Sequence, residues 1–268
     1  MSKGIGKFFI GFVLVFAFAT GVFAEAVSNP CQGPSALLAI VDRPNAADSA
    51  CVVPAYHVET EMGYLNEQLR FGGTEQNYPS DELRFGLPKR NELFILFPNY
   101  IHQSVWPTSG FTQTVAGIKH QFAYKDNWLV AVEGYFSMPD GSEAFGNKEL
   151  GGGGDAIVTY SLTEKFSWTL MVGATSYTNP RLAGGGRYNS FNPIFVLSYA
   201  PVDKINIYGE IYGQTKTGAG LGSGFNADAG ILYLVNPNFV IDFSAGQHLS
   251  GTLDSFEHYV GAGLSVML

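Results

Sequence analysis

Charged residues are scarce in this chain. They make up 14% of its 268 residues, and acidic side chains outnumber basic ones, which gives a formal net charge of −8. Such a chain offers no basic surface that could release counterions from nucleic-acid phosphates. A dinucleotide-binding turn is also missing, because the glycine run at 151–154 precedes a predicted strand instead of following one and opening a helix. The composition therefore argues against nucleic-acid and nucleotide partners.

Cysteine is nearly absent, since the chain has only Cys31 and Cys51. In an exported protein such a pair predicts a disulfide, which would close a loop of roughly 20 residues and contribute on the order of 3 kcal/mol. Two cysteines do not fill a tetrahedral metal site, and His57, His120 and His258 lack the spacing of metal ligands. No metal or other cofactor is predicted.

Long apolar runs are limited to the N-terminus, at residues 8–23. Lys3 and Lys7 precede this run, and Val22 and Ala24 form a small-residue cleavage site. The pattern predicts a secretory signal peptide at residues 1–24, removed after Ala24. An uncleaved anchor is the alternative, but the run is shorter than the roughly 20 residues that span a bilayer comfortably.

The remainder of the chain alternates polar and apolar residues in blocks between turn signals. In the block 225–235, one face carries Phe225 and Ile231, and the other carries Asn226 and Asp228. This period of two is typical of strands with one apolar and one polar face. About twelve such strands are predicted, an even number as in single-chain outer-membrane barrels: 56–66, 81–87, 92–101, 110–125, 128–138, 154–163, 165–178, 189–200, 205–216, 224–235, 239–250 and 256–268.

The predicted connections alternate between tight turns, such as 88–91 and 236–238, and longer loops, such as 67–80, 139–153 and 179–188. This rhythm is typical of barrels with short periplasmic turns and long extracellular loops. We therefore predict an all-β fold over residues 55–268, a membrane-spanning antiparallel up-and-down β-barrel in the outer membrane of a Gram-negative bacterium. A soluble lipocalin-like or sandwich fold remains the alternative from periodicity alone, and aromatic residues near the strand ends favour the membrane.

Two regions depart from the regular pattern. Residues 25–54 contain one helical candidate, 35–41, and we expect a disulfide-bonded periplasmic element that lies near the barrel mouth. Pro98 and Pro193 fall inside predicted strands, and because proline removes a ladder hydrogen bond we expect local breaks or kinks there.

If lipid contacts the apolar faces, the polar faces line the lumen. These inward residues form either an ion network that fills a narrow barrel or the path of a solute or ion, with Arg84 at the constriction. An acidic lumen should repel anions and admit neutral or cationic solutes. The predicted lumen and substrate-path residues are Glu59, Glu61, Glu82, Arg84, Lys119, Glu133, Glu210, Asp228, Asp242 and Glu257.

An outer-membrane hydrolase is a third functional hypothesis. His102 lies two residues from Ser104 near one predicted rim, and His248 lies two residues from Ser250 near another. No third orienting group has a recognisable spacing, so these residues are interpreted as ordinary rim polar groups and no catalytic residue is predicted.

Three stretches resemble a family of outer-membrane proteins described as "MetA-pathway of phenol degradation". They are Glu82–Leu87 followed by Arg90–Leu93, then Phe225–Gly230 with Asn236–Asn238, and the closing strand Tyr259–Ser265. The resemblance implies a small-molecule channel that takes up hydrophobic or aromatic compounds. One departure concerns biogenesis: such barrels usually end in phenylalanine, which the barrel-assembly machinery reads, whereas this chain ends in Leu268.

The sequence thus predicts passive transport of small, largely apolar compounds, with outer-membrane lipid, a small-molecule solute and the assembly machinery as partners. A structural or surface-interaction barrel with a filled lumen is the second hypothesis.

Overall fold

The computed structural model describes residues 27–268, so the predicted signal peptide lies outside the described part of the chain. Within that part, no helix is long and apolar enough to cross a membrane. The helical elements are α1, Leu37–Ile40, which is shorter than the predicted 35–41, and a 3-10 turn at Arg181–Ala183.

Strands make up most of the structure and form one antiparallel sheet, which closes where the last strand pairs with the first. The closing register matches Glu59 with Met267 and Glu67 with Tyr259. The strands are β1 Val58–Leu69, β2 Thr74–Tyr78, β3 Glu82–Leu87, β4 Asn91–Leu96, β5 Tyr100–Gln103, β6 Ser109–Phe111, β7 Val115–Gln121, β8 Trp128–Ser137, β9 Gly151–Ser161, β10 Phe166–Thr178, β11 Arg187–Val202, β12 Ile205–Gln214, β13 Gly224–Asn236, β14 Phe239–Gly251 and β15 Phe256–Met267.

These fifteen segments build a barrel of twelve strands, because three strands are each broken into two pieces. The first half of β1 pairs with β3 and its second half pairs with β2, so β2 and β3 together form the second barrel strand. In the same way β4 and β5 form the third strand, and β6 and β7 the fourth. The predicted count is confirmed, but the predicted loop at 67–80 was wrong, since β2 lies within it.

Proline explains two of the irregularities. Pro98 lies between β4 and β5, so the expected break is present. Pro193 does not interrupt β11 on the β10 side, where it faces Val172, but the register with β12 begins only at Ile194. The backbone of the broken strands stays connected through bonds such as Phe97 N to Asp81 O, at 2.9 Å.

The outer face carries a belt of large apolar side chains, which include Ile118, Leu197, Ile211 and Phe243. Aromatic clusters flank it at both ends. Trp128 packs against Tyr160 and Trp168 near the tight turns, and Tyr100 packs against Tyr78 and Phe111 near the long loops. An apolar band between aromatic girdles is the surface that a bilayer requires.

The chemistry of the inner face changes around the barrel, which the prediction of a polar lumen did not anticipate. The charged half lies on β1, β3, β4 and β7 and includes the buried side chains of Glu59, Glu61, Arg84, Glu92 and Lys119. The other half, here called the apolar half, lies on β8 to β14. It carries the buried carboxylates Glu133, Asp155, Glu210, Asp228 and Asp242 beside a cluster of apolar side chains: Leu129, Ala131, Ile157, Met171, Ile194, Val196, Tyr208, Leu232, Leu234 and Val240.

Candidate functional site

The segment that precedes the first strand fills the lumen. Residues 27–57, here called the plug, enter at the end of the barrel that carries the tight turns, where Ser28 donates two hydrogen bonds of 2.8 Å to Glu164. They leave at the same end, where the Tyr56 amide donates to Gly86 O at 2.9 Å. Position 86 must be glycine, because an added Cβ would lie 1.9 Å from Pro54 O. The expected N-terminal element is therefore a plug held within the barrel.

The plug is stapled and has an apolar side. The predicted Cys31–Cys51 disulfide is present and joins residues 20 positions apart. Leu37, Ile40 and Val53 are buried against the apolar half of the barrel wall. Burying such side chains contributes roughly 1.5–3 kcal/mol each, so this half of the lumen holds the plug by the hydrophobic effect.

Barrel side chains also hold the plug backbone inside the lumen. There, oxygens of four side chains accept hydrogen bonds from plug amides: three belong to the charged half, and Glu210 lies on β12. Such bonds to a charged carboxylate contribute about 1.5–3 kcal/mol each, more than the bond to the neutral Gln121. The bonds are Asp42 N and Arg43 N to Glu61 at 2.8 and 2.6 Å, Val52 N to Gln121 at 3.1 Å, Val53 N to Glu92 at 2.6 Å, and Ala46 N and Ala47 N to Glu210 at 2.5 and 3.3 Å.

Arg84 lies at the centre of the charged half and is fully buried. Its guanidinium lies within 4 Å of four carboxylates: Glu92 at 2.9 Å, Glu61 at 3.2 Å, Asp42 at 3.3 Å and Glu59 at 3.8 Å. It also donates to the plug carbonyl of Ile40 at 2.6 Å. Because Asp42 belongs to the plug and the other carboxylates to the barrel, Arg84 joins the two. These residues are called the Arg84 network below.

Lys119 extends this network toward β8. Its Nζ lies 3.1 Å from the Asp42 carboxylate and 3.4 Å from Glu133. Next to it, burial and the nearby Glu133 and Asp42 carboxylates raise the pKa of the plug residue Asp48 well above its usual range, and Asp48 hydrogen-bonds Glu133. The raised pKa favours the protonated form of Asp48.

The structure brings nine of the ten predicted lumen residues inside the barrel. Eight are buried, and Glu82 lies beside Asp42 and Glu61. Glu257 differs, because it is exposed near the loop end of β15, where the pairing of that strand with β1 becomes irregular. Most of the inward residues contact the plug or Arg84, so their placement is that of an ion network. Their role as a solute path stays a prediction.

Sequence reasoning missed the plug side of this network. No pattern in the neighbouring sequence indicates the partners of Asp42 and Arg43. Asp42 contacts Lys119, 77 positions away, and Arg43 contacts Asp242, 199 positions away. Glu92 could have been found, since it alternates with the inward Phe94 on β4.

One acidic group has the spacing of a cation site. Oxygens of Asp42, Glu61 and Glu82 lie within 4.8 Å of one another. Arg84 Nη1 approaches two of these residues at 3.2–3.3 Å, so a guanidinium already supplies positive charge to the cluster.

The predicted rim residues are placed in ordinary polar contacts. Ser104 Oγ accepts a hydrogen bond from Thr74 N at 2.8 Å. The His248 ring contacts Arg70 at 2.8 Å and Asn226 at 3.0 Å. In the described chain neither histidine is hydrogen-bonded to the serine beside it in sequence, so the geometry of a nucleophile and its base is not formed.

Two cavities flank the plug along the lumen. The loop-side cavity has a volume of about 730 Å³. Its lining includes the carboxylates Glu67, Glu75, Asp228 and Asp254, together with aromatic side chains. Tyr259 donates a 2.6 Å hydrogen bond to Asp228. Asp228 is the one predicted path residue that lines either cavity.

The turn-side cavity has a volume of about 450 Å³ and lies between the plug and strands β8 to β12. Residues 43–48, here called the plug turn, separate the two cavities, and Asn45 lines both. The linings of the two cavities therefore meet at this turn.

A closed twelve-stranded barrel with an apolar belt and an internal plug is the architecture of an outer-membrane β-barrel. The sequence profile of the family described as "Putative MetA-pathway of phenol degradation" matches residues 41–268, and the chain belongs to this family. The resemblance found in the sequence is thereby confirmed. No curated protein matches the chain.

Solved structures share the fold at low sequence identity. The COG4313 outer membrane channel from Pseudomonas putida F1 aligns with a TM-score of 0.64 and 10% identity, covering 84% of this chain and 100% of that chain. The NanC porin aligns with a TM-score of 0.56 and 10% identity, covering 79% and 100% of the two chains. The KdgM porin aligns with a TM-score of 0.52 and 10% identity, covering 77% and 98%. Fold and family agree with the predicted outer-membrane location.

Proposed function

We propose that this barrel is a passive uptake channel for small, largely apolar or aromatic compounds, with its loop side outside the cell and its turn side in the periplasm. The observation that carries the proposal is the pair of cavities that meet the plug turn from opposite sides at Asn45. A solute that enters the loop-side cavity needs only a displacement of residues 43–48 to reach the turn-side cavity.

The plug turn is held mainly through Glu61, Glu210 and Asp242 of the barrel. Arg43 N donates to Glu61 at 2.6 Å, Ala46 N and Ala47 N donate to Glu210, and the Asp48 amide lies 3.3 Å from Met171 Sδ. Arg43 adds an ion pair of 3.3 Å with Asp242. If the contacts with Glu210 and Asp242 are released, the turn can move while the Arg84 network and the disulfide anchor the remainder of the plug.

The charges of the loop-side cavity favour certain solutes. Its carboxylates make the local potential negative, whereas Tyr212, Phe256 and Tyr259 offer aromatic surface. A negative potential raises the local concentration of cations, leaves neutral molecules unaffected and repels anions. Neutral aromatic compounds, and their cationic analogues, fit this entrance better than carboxylates.

The second candidate function is a structural or surface-interaction barrel that transports nothing. It is favoured by the Arg84 network, which fills part of the lumen with buried, oppositely charged groups in ion pairs. Flux through the folded protein separates the two candidates.

The test uses three single-ring compounds that differ in charge at neutral pH: neutral phenol, cationic benzylamine and anionic benzoate. Intact cells that produce the protein in the outer membrane are compared with cells that lack it, at low external concentrations. We expect faster uptake of phenol and benzylamine and no gain for benzoate. If a correctly folded barrel, verified by its heat-modifiable gel shift, accelerates none of them and gives no conductance in planar bilayers, the structural candidate replaces the channel.

Biogenesis adds the barrel-assembly machinery as a proposed partner. The C-terminal Leu268 exchanges backbone hydrogen bonds with Val58, at 2.8 and 3.2 Å, and so completes the closing seam. This terminal strand is the segment that the machinery would read.

A further inference from the structure

The lining of the turn-side cavity combines apolar and hydroxyl groups. The plug contributes the apolar residues Leu38, Ala39 and Val41. On the barrel wall, the apolar Leu129 and Val196 lie directly beside Thr159 and Thr169 on the neighbouring strands, and further hydroxyl groups come from β9, β10 and β11. Its volume of about 450 Å³ falls in the range of small-molecule sites, which are mostly apolar with a few placed polar groups.

Two polar side chains of the barrel wall are free to hydrogen-bond a ligand in this cavity. The hydroxyls of Thr159 and Thr169 bond each other at 2.8 Å. By contrast, the side chains of Ser198 on β11 and Asn206 on β12 have no hydrogen-bond partner among residues 27–268, and both line the cavity. These strands are adjacent, with Ser198 opposite Tyr208, so the two side chains lie close together on the lumen face.

The interior of this cavity is nearly free of net charge. Glu164, Lys165 and Asp203 line it from the tight turns at its mouth, and Ser28 already binds Glu164. Deeper inside, Asp48 is the acidic residue of the lining; burial raises the pKa of its carboxyl, which hydrogen-bonds Glu133. An ionised ligand would lose its hydration here without gaining a charged partner, which is costly.

We infer that the turn-side cavity is a binding site for a small neutral compound that has an apolar ring and one hydrogen-bonding group. The ring lies against Leu38, Leu129 and Val196, and the polar group bonds Ser198 or Asn206. This inference rests on the proposed channel function and assigns to it the last site that a solute occupies before the periplasm.

The test measures binding and not transport. Purified barrel in detergent is titrated with 4-fluorophenol, and binding is followed by ligand-observed fluorine NMR against micelles without protein. We expect saturable binding to the wild-type barrel and none of 4-fluorobenzoate. Ser198→Ala keeps the cavity volume and removes one hydroxyl, so it should weaken binding by about three- to tenfold, the factor of one hydrogen bond.

A filling variant and its outward-facing control locate the site. Ala200→Phe adds a ring to the cavity lining and should abolish saturable binding. Leu197→Phe places the same ring at a lipid-facing position of the same strand, which is 55% exposed, and should bind like the wild type.

Three outcomes would overturn the inference: no saturable binding to wild type, equal loss in both phenylalanine variants, or equal binding of phenol and benzoate analogues. The channel proposal is judged separately. Absent binding with intact phenol uptake would remove the site and keep the channel, whereas saturable binding without uptake would keep the site and remove the channel.

Discussion

Arg84 on β3 and Glu92 on β4 form a two-point ion pair inside the barrel, with Nε to Oε1 at 2.9 Å and Nη2 to Oε2 at 3.1 Å. The second oxygen of Glu92 also accepts the plug amide of Val53 at 2.6 Å. One carboxylate therefore connects two barrel strands and the plug. This shared bond explains why acids outnumber bases in the lumen: backbone amides of the plug supply much of the positive partial charge.

Arg84→Leu should strongly destabilise the barrel. It leaves Glu59, Glu61 and Glu92 buried without their cation, and breaking a buried ion pair typically costs about 3–5 kcal/mol. The measurement is the temperature or urea concentration at which the heat-modifiable gel shift is lost. Lys125→Leu is the control, because Lys125 is 82% exposed and its pair with Asp126 is a surface contact. Equal stability of both variants would contradict a central role for Arg84.

Glu210→Ala should release the plug turn and raise conductance. The change removes both acceptors of the Ala46 and Ala47 amides, while the Arg84 network and the disulfide still anchor the plug. We expect longer or more frequent openings in planar bilayers, with a smaller effect for Glu210→Gln, which keeps one acceptor oxygen. Glu257→Ala removes an exposed carboxylate on β15 and serves as the control. Unchanged gating in Glu210→Ala would place the gate elsewhere.

The barrel could be predicted from the sequence because its signal is local. Alternation of side chains along β13 and β14 assigns Ile231 and Phe243 to lipid and Asp228 and Asp242 to the lumen, and burial agrees with this. The short strand β2 was not predicted, because its five residues, which follow two glycines, are too few to show a clear alternation of polar and apolar side chains.

The position of the plug inside the barrel could not be predicted, for a different physical reason. A plug residue such as Asp42 is held by Arg84 on β3 and Lys119 on β7, which are far away in the chain. The sequence around Asp42 carries no pattern that identifies these partners. The two cavities follow from the plug, so they could not be predicted either. The apolar half of the lumen was partly visible, since Leu232 and Val240 stood among the inward positions of their strands.

Removal of the disulfide should loosen the plug without opening the barrel wall. A cross-link that closes a loop of this length contributes about 3 kcal/mol in the chain-entropy model. In Cys31→Ser with Cys51→Ser we expect faster hydrogen exchange in peptides that cover α1 and residues 42–53, measured by mass spectrometry. Reduced wild-type protein should behave alike, and peptides from β13 and β14 are the internal control. Unchanged exchange in the plug peptides would mean that barrel contacts alone hold it.

Leu268→Phe should improve assembly and not stability. Leu268 is 75% exposed, so a larger side chain meets no steric barrier there, and its backbone bonds with Val58 are unaffected. If the assembly machinery reads a terminal aromatic residue, cells should accumulate more folded barrel, as measured by the ratio of heat-modifiable to unfolded protein in outer membranes. Met267→Phe, which places the ring one position earlier, is the matched control. Equal yields in all three proteins would indicate that the terminal residue is not read.

The ion selectivity of the channel should depend on pH through Asp254, which lines the loop-side cavity between β14 and β15. Asp254 keeps part of its surface exposed at the cavity. Desolvation by the neighbouring protein, opposed by Arg70 and assisted by the Glu75 carboxylate, raises the pKa of Asp254 to about 6. Since this pKa lies above the ordinary aspartate value, Asp254 is neutral below about pH 6 and negatively charged above it. The preference for cations over anions, taken from reversal potentials in a salt gradient, should therefore rise as the pH increases from 5 to 7. Asp254→Asn should lose this part of the titration, whereas Asp126→Asn, at the exposed turn side, should keep it. A titration near pH 6 that persists in Asp254→Asn would assign the dependence to another carboxylate.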